Sequence, residues 1–326
     1  MSGSFIRGTG SYLPKKKVTN LDLEEMVDTS NEWITTRTGI KSRHIAGPGE
    51  DTSMIAAVAA RNALQMAQLS PPDLDMIIVA TISGDMTMPS CACLVQKEIG
   101  ATNAFAFDLN AACSGFLFGL DCAYSYLARD PFLKILVVGA ETLSARTDWS
   151  DRNTCVLFGD GAGACVLEGV AAPESGLLYS KLRSDGTLHH LLSMDCATGM
   201  NPDLKNFHNT DSVIRMAGRD VFKYAVRAMG DSVQEVLSHN GVGIGDIKLI
   251  IPHQANIRIL NSLADRLEIS REKIYVNIDK YGNTSAATIP IALDEANRAG
   301  LLEKGDLLLL TAFGGGFTWG TALIRW

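Results

Sequence analysis

The segment Pro72-Asp-Leu-Asp-Met-Ile-Ile-Val79 has a counterpart later in the chain, Ile244-Gly-Asp-Ile-Lys-Leu-Ile-Ile251. Each segment follows an amphipathic helical pattern, and Ile78 pairs with Ile251 at an offset of 173 residues. Both are short apolar runs of the kind that forms buried β-strands. Because a helical pattern leads into the same strand pattern twice, the two segments indicate an internal duplication.

Two further matches extend the repeat along the chain. Gly139-Ala140 pairs with Thr311-Ala312 at an offset of 172, and Phe158-Gly-x-Gly161 pairs with Phe313-Gly-x-Gly316 at an offset of 155. The smaller second offset predicts that the first half carries about one extra loop, near residues 141–156.

The sequence therefore predicts two similar halves, residues 1–172 and residues 173–326. In both halves short β-branched runs alternate with helical patterns, which favours an α/β fold whose sheets are covered on both faces. The predicted strands are residues 76–80, 104–107, 135–138, 249–251 and 307–310, and the predicted helices are residues 53–68, 116–127, 221–239 and 289–299.

The composition limits the function. The chain has 326 residues, of which 46% are hydrophobic and 20% charged, as in globular proteins. Its 29 Lys and Arg against 36 Asp and Glu give a net charge of -7, which argues against a nucleic-acid-binding surface but leaves a local basic patch open. The N-terminus has no apolar stretch of signal-peptide length, and runs such as residues 307–310 are too short to cross a membrane. We therefore expect a soluble cytoplasmic protein that binds neither nucleic acid nor membrane.

One of the seven cysteines is a candidate nucleophile. Cys113 follows a predicted strand and opens the predicted helix 114–127, with Ala112 and Gly115 leaving room around its sulfur. The helix dipole and the free N–H groups of the first turn are expected to lower the pKa of this thiol below about 8.5. The remaining cysteines, in an odd total without a Cys-x-x-Cys pair, are expected to be reduced and mostly buried: Cys91, Cys93, Cys122, Cys155, Cys165 and Cys196.

Two polar residues of the second half are candidates to act with this nucleophile. His253 directly follows a predicted strand, where the carboxyl end of a parallel sheet usually carries function, although alone it would more simply be a packed histidine. Asn283, in Gly282-Asn-Thr-Ser, would alone suggest a turn residue or a helix cap. At the offset of the repeat Cys113 lies opposite Ser285 and close to Asn283, so two helix starts are predicted to face one site.

Other patterns argue against metal and nucleotide sites. His189-His190 lacks further ligands at metal-binding spacing. The glycines 159, 161 and 163 precede a strand-like segment and not a helix, which excludes a dinucleotide fingerprint. The long aperiodic stretch 183–218, which includes His208, is expected to be a lid or a binding loop.

Several motifs together resemble those of β-ketoacyl-acyl carrier protein synthase III. They occur in order over the whole chain: Val27-Asp-Thr-Ser-Asn-Glu-Trp-Ile34, Arg37-Thr-Gly-Ile-Lys-Ser-Arg43, Ala112-Cys-Ser-Gly115, Met216-Ala-Gly218, His253-Gln-Ala-Asn256, Gly282-Asn-Thr-Ser285 and Phe313-Gly-Gly-Gly-Phe-Thr-Trp-Gly320. The resemblance implies the thiolase-like fold, a five-layered αβαβα arrangement of duplicated halves, and a homodimer.

The resemblance also implies a decarboxylative Claisen condensation that starts fatty-acid synthesis. A short acyl-CoA primer would acylate Cys113, and His253 with Asn283 would hydrogen-bond the thioester carbonyl of malonyl-acyl carrier protein. The backbone amides of Cys113 and Gly316 would form a second oxyanion hole. No metal or cofactor is expected, because the CoA thioester is a substrate. A specialised acyltransferase or ketide synthase with a non-malonyl acceptor is the alternative, and the length and branching of the primer stay open.

The resemblance further implies the binding residues. Trp33 and Arg152 would stack on the adenine of CoA, as flat aromatic and guanidinium groups can. The implied CoA contacts are Thr29, Trp33, Arg37, Arg152, Gly218 and Asn256. The implied carrier-protein contacts are Gln254, Ala255, Asn256, Ile257 and Arg258, with Arg219 and Lys223 as further cations for an acidic partner. Met88 would cap the acyl pocket of the partner subunit.

Overall fold

The structure, a computed structural model, describes residues 3–170, 175–195 and 212–326. Cys196, His208 and the rest of the central part of the expected binding loop, residues 196–211, lie outside the described residues. In the first half the elements are β1 (Gly3–Tyr12), β2 (Lys16–Thr19), α1 (Asn20–Glu24), α2 (Asn31–Thr38), β3 (Ser42–Ile45), α3 (Thr52–Ala67), β4 (Met76–Ala80), α4 (Cys91–Ile99), β5 (Phe105–Leu109), α5 (Gly115–Arg129), β6 (Lys134–Thr142) and β7 (Asp160–Val170).

In the second half the elements repeat this alternation of strands and helices. They are β8 (Gly176–Ser184), β9 (Leu192–Met194), β10 (Ile214–Met216), α6 (Gly218–Asn240), β11 (Ile247–Pro252), α7 (Ile257–Leu267), α8 (Ile278–Tyr281), α9 (Thr288–Arg298), β12 (Leu307–Gly314) and β13 (Thr318–Arg325). Each predicted strand and helix falls in an element of the predicted type, with boundaries displaced by a few residues.

Two large sheets share one strand order. The first sheet runs β1-β7-β6-β4-β5, in which β6, β4 and β5 are parallel and β7 is antiparallel to both of its neighbours. The second sheet runs β8-β13-β12-β11, with β11 and β12 parallel and β13 antiparallel to both of its neighbours. Ile274 adds a parallel bridge to Ile250 of β11, in the place that β5 takes beside β4. The shared order confirms the predicted duplication. The boundary at residue 172 lies outside the described residues and stays a prediction.

The strand registers locate the extra loop. Ile78 lies beside Val137 in the first sheet, and Ile251 lies beside Leu310 in the second, so both strand pairs match at an offset of 173. The loop 143–159 between β6 and β7 is much longer than the three residues that join β12 to β13, which confirms the predicted insertion. The predicted equivalence of Phe158 and Phe313 is wrong, because Phe158 precedes β7 whereas Phe313 lies within β12.

The two sheets and their helices form five layers. In β4, Ile77 and Val79 pack against α3 and α4 on the outer face of the first sheet. Met76 and Ile78 point the other way, into an apolar core that contains α5, α9 and the inner face of the second sheet. Helices α6 and α7 cover the outer face of that sheet. This confirms the αβαβα arrangement and explains why the strands are continuous apolar runs, since both faces are buried.

The central layer brings two helix starts together. A 3-10 turn at Ala112–Ser114 leads into α5, another at Ser285–Ala287 leads into α9, and these two turns contact each other. Both helices are embedded between the sheets, where each fully buried large apolar side chain contributes about 1.5–3 kcal/mol. The fold therefore holds the two turns rigidly at the centre of the molecule. Within the described ranges, no helix is long and apolar enough to span a membrane.

Candidate active site

A cavity of about 1670 Å³ opens onto the two central turns and is lined by residues from both halves. Its wall contains Cys113 from the first half and His253 and Asn283 from the second. The structure therefore brings together the three side chains that the sequence singled out, although they lie 140 and 170 residues from Cys113 along the chain.

The turn that carries Cys113 is fixed by the second half. Ala112 adopts a left-handed backbone conformation with φ of 46°, which turns the chain sharply before α5. Gly314 packs on this turn so closely that a Cβ there would lie 2.7 Å from the backbone nitrogen of Cys113. Thr318 donates its hydroxyl to Ala111 O at 2.8 Å, and Ser114 donates its hydroxyl to Thr318 O at 2.9 Å. Residues at the junction of β12 and β13 thus hold the turn that carries Cys113 in place.

The electrostatic surroundings of Cys113 correct one expectation. Burial raises the pKa of the Cys113 thiol to about 11, and the nearby carboxyl of Glu141 adds to this rise, while the Ser285 hydroxyl and the backbone N–H of Cys113 oppose it. The predicted lowering of the pKa by the helix start is therefore wrong for the free site. At neutral pH the thiol is protonated, so its proton must leave as the sulfur attacks a substrate.

Glu141 is a buried acid that the sequence analysis did not identify. It lies at the end of β6, and one carboxyl oxygen accepts hydrogen bonds from the Ser83 hydroxyl at 2.5 Å and from Thr81 and the Ile82 backbone at 3.2 Å. The other oxygen has no hydrogen bond of ordinary geometry among the described residues, although the Ser285 hydroxyl is near enough to the carboxyl to limit the rise of its pKa. Burial raises the pKa of Glu141 to about 7. Its charge therefore changes near neutral pH within reach of Cys113.

His253 is a neutral, rigidly held imidazole. It follows β11, and its backbone N–H donates to Thr311 O at 2.8 Å. Its Nδ1 lies 2.7 Å from the hydroxyl oxygen of Thr288, the first residue of α9. Burial lowers the pKa of His253 to about 3, because an imidazolium would lose its hydration there. The sequence offered no signal for the Thr288 contact, since 35 residues separate the two side chains.

Asn283 presents its amide group to the cavity. Its backbone N–H donates to Leu157 O at 2.9 Å, and its backbone carbonyl accepts from the Gly159 N–H at 3.0 Å. Its side-chain oxygen accepts the Ser285 N–H at 2.8 Å. Because the oxygen is engaged inside the turn, the amide nitrogen is the group that can donate to a ligand.

The two helix starts are equivalent, but one residue away from the predicted pairing. Ser285 has φ of 50° and opens the turn before α9, just as Ala112 opens the turn before α5. In the repeat the equivalent of Ser285 is therefore Ala112 and that of Cys113 is Ala286, which corrects the predicted pairing of Cys113 with Ser285. The Ser285 side chain still meets Cys113 in space, since its hydroxyl acts on the Cys113 thiol. The repeat puts a thiol at one helix start and a small apolar residue at the other.

A glycine-rich turn completes the wall beside Cys113. Gly315 and Gly316 line the cavity, and Gly316 has φ of 139°, a conformation that only glycine adopts readily. The predicted role of the Gly316 backbone amide as an oxyanion donor stays a prediction. The geometry places this turn against the nucleophile, as that role requires.

The outer end of the cavity carries the aromatic and basic residues expected for CoA. Trp33 and Arg37 line the cavity, and the Arg37 guanidinium lies 4.8 Å from the Trp33 ring centre. Arg152 lies over the same ring at 5.0 Å and donates to Asp28 O at 2.9 Å. A base stacked between Trp33 and Arg152 needs about 7 Å, twice a van der Waals contact, so the Arg152 side chain must move for adenine to enter.

The remaining expected CoA contacts are distributed around this opening. Gly218 and Asn256 line the cavity, whereas Thr29 lies outside its wall. The Thr29 hydroxyl is buried without a hydrogen-bond partner among the described residues. Asn256 caps α7 by accepting the Arg258 N–H at 2.8 Å.

The segment 254–258 is only partly available to a partner protein. Gln254 is buried, donates to Pro252 O and Tyr275 O, and accepts the Asn277 N–H. Its predicted contact with a carrier protein is therefore wrong, because its side chain holds the strand end in place. Ile257 packs over Gly39. Ala255 and Arg258 line the cavity, and Arg258 is exposed.

Met88 does not contribute to the cavity of its own chain. It is 85% exposed, whereas its neighbours Met86 and Thr87 line the cavity. This position is compatible with the predicted reach into a partner subunit, which stays a prediction. Among the described residues no group of three or more His, Cys, Asp or Glu could hold a metal ion.

Comparisons with known proteins extend over the whole chain. Residues 107–186 match the family 3-Oxoacyl-[acyl-carrier-protein (ACP)] synthase III, and residues 237–326 match its C-terminal counterpart. The chain is 56% identical to "Beta-ketoacyl-[acyl-carrier-protein] synthase III" of Desulfotalea psychrophila, over 98% of this chain and 99% of that protein.

Solved structures agree in fold and length. The chain resembles the crystal structure of 3-oxoacyl-[acyl-carrier-protein] synthase III from Aquifex aeolicus with a TM-score of 0.93 and 50% identity, covering 99% of this chain and 100% of that one. It also resembles the priming β-ketosynthase of the R1128 polyketide pathway, with a TM-score of 0.92 and 33% identity, covering 99% of this chain and 96% of that one.

Proposed function

Because this chain belongs to the β-ketoacyl-[acyl-carrier-protein] synthase III family and is a condensing acyltransferase, we propose that it joins a short acyl group from acyl-CoA to malonyl-acyl carrier protein and so starts fatty-acid synthesis. The observation that carries this proposal is the convergence of Cys113, His253 and Asn283 in the wall of one cavity. The arrangement combines one nucleophile with two neutral groups that can donate hydrogen bonds, which suits two successive half-reactions.

In the first half-reaction the Cys113 sulfur attacks the thioester carbonyl of acyl-CoA. The S–H bond of Cys113 breaks as the new S–C bond forms, and the C–S bond to CoA breaks so that CoA leaves as a thiol with one proton. The backbone N–H groups of Cys113 and Gly316 stabilise the negative charge on the carbonyl oxygen. The start of α5 favours the same charge, because the helix dipole places partial positive charge at this end.

In the second half-reaction His253 and the amide nitrogen of Asn283 donate hydrogen bonds to the thioester oxygen of malonyl-acyl carrier protein. Loss of CO2 leaves the electron pair as an enolate, whose oxygen these two donors stabilise. The enolate carbon then attacks the acyl group on Cys113 and the sulfur leaves, taking up a proton. Neutral donors suit this step because they need no change of protonation as charge develops.

The basic rim of the cavity suits an acidic carrier protein. Arg219, Lys223 and Arg258 are all exposed and line the opening. None of the three forms an ion pair within the described residues. Unpaired cations around one opening attract a negatively charged partner despite the net charge of -7.

A second copy of the chain is the proposed partner at the edge of the first sheet. β5 is the last strand of that sheet, and its outer edge carries no further strand among the described residues. Phe105 on this strand is 49% exposed. A free edge with an exposed aromatic side chain favours pairing with another chain, and this edge supports the proposed homodimer.

The alternative is a specialised acyltransferase or ketide synthase, and one structural likeness supports it. The structural likeness to a priming β-ketosynthase of a polyketide pathway has a TM-score of 0.92 at 33% identity. The higher identity of 56% to a β-ketoacyl-[acyl-carrier-protein] synthase III favours the fatty-acid role.

The test is a condensation assay with a panel of acyl-CoA primers and malonyl-acyl carrier protein. We expect the mass of the carrier protein to change to that of its β-ketoacyl form only when both substrates and intact Cys113 are present. No resident cofactor should be needed, so extensive dialysis against a chelator should leave the rate unchanged. Absence of β-ketoacyl product with every primer would overturn the proposal.

A further inference from the structure

The Nδ1 atom of His253 lies 2.7 Å from the hydroxyl oxygen of Thr288. Both residues are only 3% exposed, so water does not compete for this contact. His253 also lines the cavity. With Nδ1 held against Thr288, Nε2 is the ring nitrogen that can reach a substrate.

The Thr288 hydroxyl has one proton and two acceptors within reach. One is His253 Nδ1, and the other is Ser285 O at 3.0 Å. Ser285 O already accepts the backbone N–H of Thr288. This carbonyl therefore keeps a hydrogen bond when the hydroxyl turns toward His253. In the other arrangement Nδ1 carries the proton and donates to the hydroxyl, and the hydroxyl donates to Ser285 O. Both arrangements satisfy the buried groups, so the need for a donor at Nε2 in the condensation step selects the first.

The direction of this hydrogen bond decides what His253 can do. Because burial keeps the ring neutral, it carries one N–H in total. If Thr288 donates to Nδ1, the proton is on Nε2 and His253 is a donor toward the cavity. If Nδ1 carries the proton, Nε2 offers only a lone pair, which would repel the oxygen of an enolate.

We propose that Thr288 is a positioning residue for the condensation step, because its hydroxyl donates to Nδ1 of His253 and fixes the tautomer in which Nε2 carries the proton. This inference rests on the proposed function in one respect, the need for a donor at the thioester oxygen. The tautomer itself is a property of the free protein.

The start of α9 thereby orients both donors of the second half-reaction. Its first residue, Thr288, sets the proton position on His253, and the N–H of Ser285 in the preceding turn holds the side-chain oxygen of Asn283. One turn thus fixes the imidazole and the amide relative to each other. A shift of this turn would misdirect both groups at once.

The direct test is NMR of protein with ¹⁵N-labelled histidine. Long-range couplings between the ring nitrogens and the carbon-bound ring protons show which nitrogen carries the proton. The His253 signals are assigned by their absence in His253→Ala. We expect a protonated Nε2 and an unprotonated Nδ1 in the wild type and in Thr288→Ser, which keeps the hydroxyl. In Thr288→Val, which keeps the shape but lacks the donor, we expect the proton to move at least partly to Nδ1.

Kinetics of the same variants supply a second readout. Thr288→Val should slow condensation roughly 10- to 100-fold, somewhat less than the loss of an entire oxyanion donor, while acylation of Cys113 by acyl-CoA changes less than about twofold. Thr288→Ser should restore most of the condensation rate. A residue with a merely structural role would affect both half-reactions and would leave the tautomer unchanged.

The outcomes are separable from those of the proposed function. A wild-type His253 protonated at Nδ1 would overturn the inference whatever the activity, and so would a Thr288→Val protein with an unchanged tautomer and a normal condensation rate. If Thr288→Val does not fold, the wild-type and Thr288→Ser spectra still decide the tautomer. A protonated Nε2 in a protein that forms no β-ketoacyl product would contradict the proposed function and leave the tautomer assignment intact.

Discussion

Burial moves the pKa values of the two central side chains in opposite directions. It raises the pKa of Cys113 to about 11 and lowers that of His253 to about 3, because each charged form would lose its hydration. Both groups are neutral in the free site at neutral pH. Cys113 and His253 therefore form no ion pair in the free site and develop charge only when a substrate thioester is bound.

Glu141 is the residue whose charge should tune the nucleophile. Its carboxylate disfavours the nearby thiolate, so Glu141→Gln should lower the pKa of Cys113. The pH profile of iodoacetamide alkylation should move to lower pH, and the rate at pH 8 should rise at least about threefold. Intact mass spectrometry after timed alkylation measures this.

Asp160→Asn is the matched control for that experiment. Asp160 is also a buried acid of raised pKa, but its oxygens accept hydrogen bonds from Ala46 and Ser144 and its charge has no part in the pKa shift of Cys113. Its alkylation profile should match that of the wild type. An unchanged or upward-shifted profile in Glu141→Gln would show that the Glu141 charge does not control the thiol.

At the scale of single residues the sequence revealed groups with distinctive local settings. Cys113 opens a predicted helix directly after a strand, so local pattern made it a candidate. His253 and Asn283 became candidates through the repeat and the family resemblance. Glu141 and Thr288 were missed because their importance comes from contacts with residues far away in sequence. The pKa of Cys113 was mispredicted for a related reason, since the helix start was visible in the sequence but the depth of burial and the facing carboxyl were not.

The helices α6 and α7 place cations where helix electrostatics do not favour them. Arg219 lies in the first turn of α6 and Arg258 in the first turn of α7, near the positive ends of the two helix dipoles. Arg258 also lies over the Phe222 ring, with its guanidinium 5.7 Å from the ring centre. Helix stability therefore does not explain these cations, which agrees with the proposed docking of an acidic carrier protein at this opening.

Reversal of the Arg258 charge should weaken the reaction with malonyl-acyl carrier protein and leave the reaction with acyl-CoA nearly unchanged. Arg258→Glu should raise the KM for malonyl-acyl carrier protein about tenfold or more, while acylation by acyl-CoA changes less than about twofold. Added salt should produce the same selective weakening in the wild type, because it screens charges at the exposed rim. Steady-state kinetics with the carrier substrate and stopped-flow acylation provide the two measurements.

Arg271→Glu provides the control for that charge change. Arg271 is exposed and pairs with Asp265 at 3.0 Å, and it does not line the cavity. This variant alters the net charge by the same amount and should leave both half-reactions unchanged. An equal loss in the two half-reactions of Arg258→Glu would exclude Arg258 from the carrier site.

Elements were easier to predict than their connections. The continuous apolar runs in β4 and β11 predicted the strands correctly because both faces of each sheet are buried. The predicted equivalence of Phe158 and Phe313 was wrong because the same Phe-Gly-x-Gly motif begins once in a loop and once in a strand. Spacing in sequence cannot distinguish these two settings until the strand registers are known.

At the level of the whole molecule the duplication divides the proposed chemistry between the halves. The first half supplies Cys113, and the second supplies His253 and Asn283, so neither half contains a complete site. The contacts of Gly314 and Thr318 with the Cys113 turn hold the halves together at the proposed nucleophile. The repeat predicted this meeting of helix starts, although it misplaced the pairing by one residue.

Met88 tests the part of the account that needs a second subunit. If its exposed side chain closes the partner's acyl pocket, Met88→Phe should shift preference toward the shortest primer, since a ring is more rigid than a thioether chain. Discrimination of about tenfold per added methylene is expected where the pocket tightens. Condensation rates with acetyl-, butyryl- and hexanoyl-CoA measure the profile.

Leu301→Phe is the control for Met88→Phe. Leu301 is another exposed apolar residue, and it lies outside the cavity wall. Its primer profile should equal that of the wild type. Identical profiles for Met88→Phe and wild type would show that residue 88 does not limit primer length.

The division of labour between the two halves is tested most directly by the mass of the enzyme itself after exposure to acetyl-CoA and then to malonyl-acyl carrier protein. Wild type should gain one acetyl group on Cys113 and lose it in the second step, and Cys113→Ala should gain none. His253→Ala and Asn283→Ala should gain the acetyl group at a substantial rate and retain it, because they lack a donor for the enolate. Acylation lost as completely in His253→Ala as in Cys113→Ala would contradict the account.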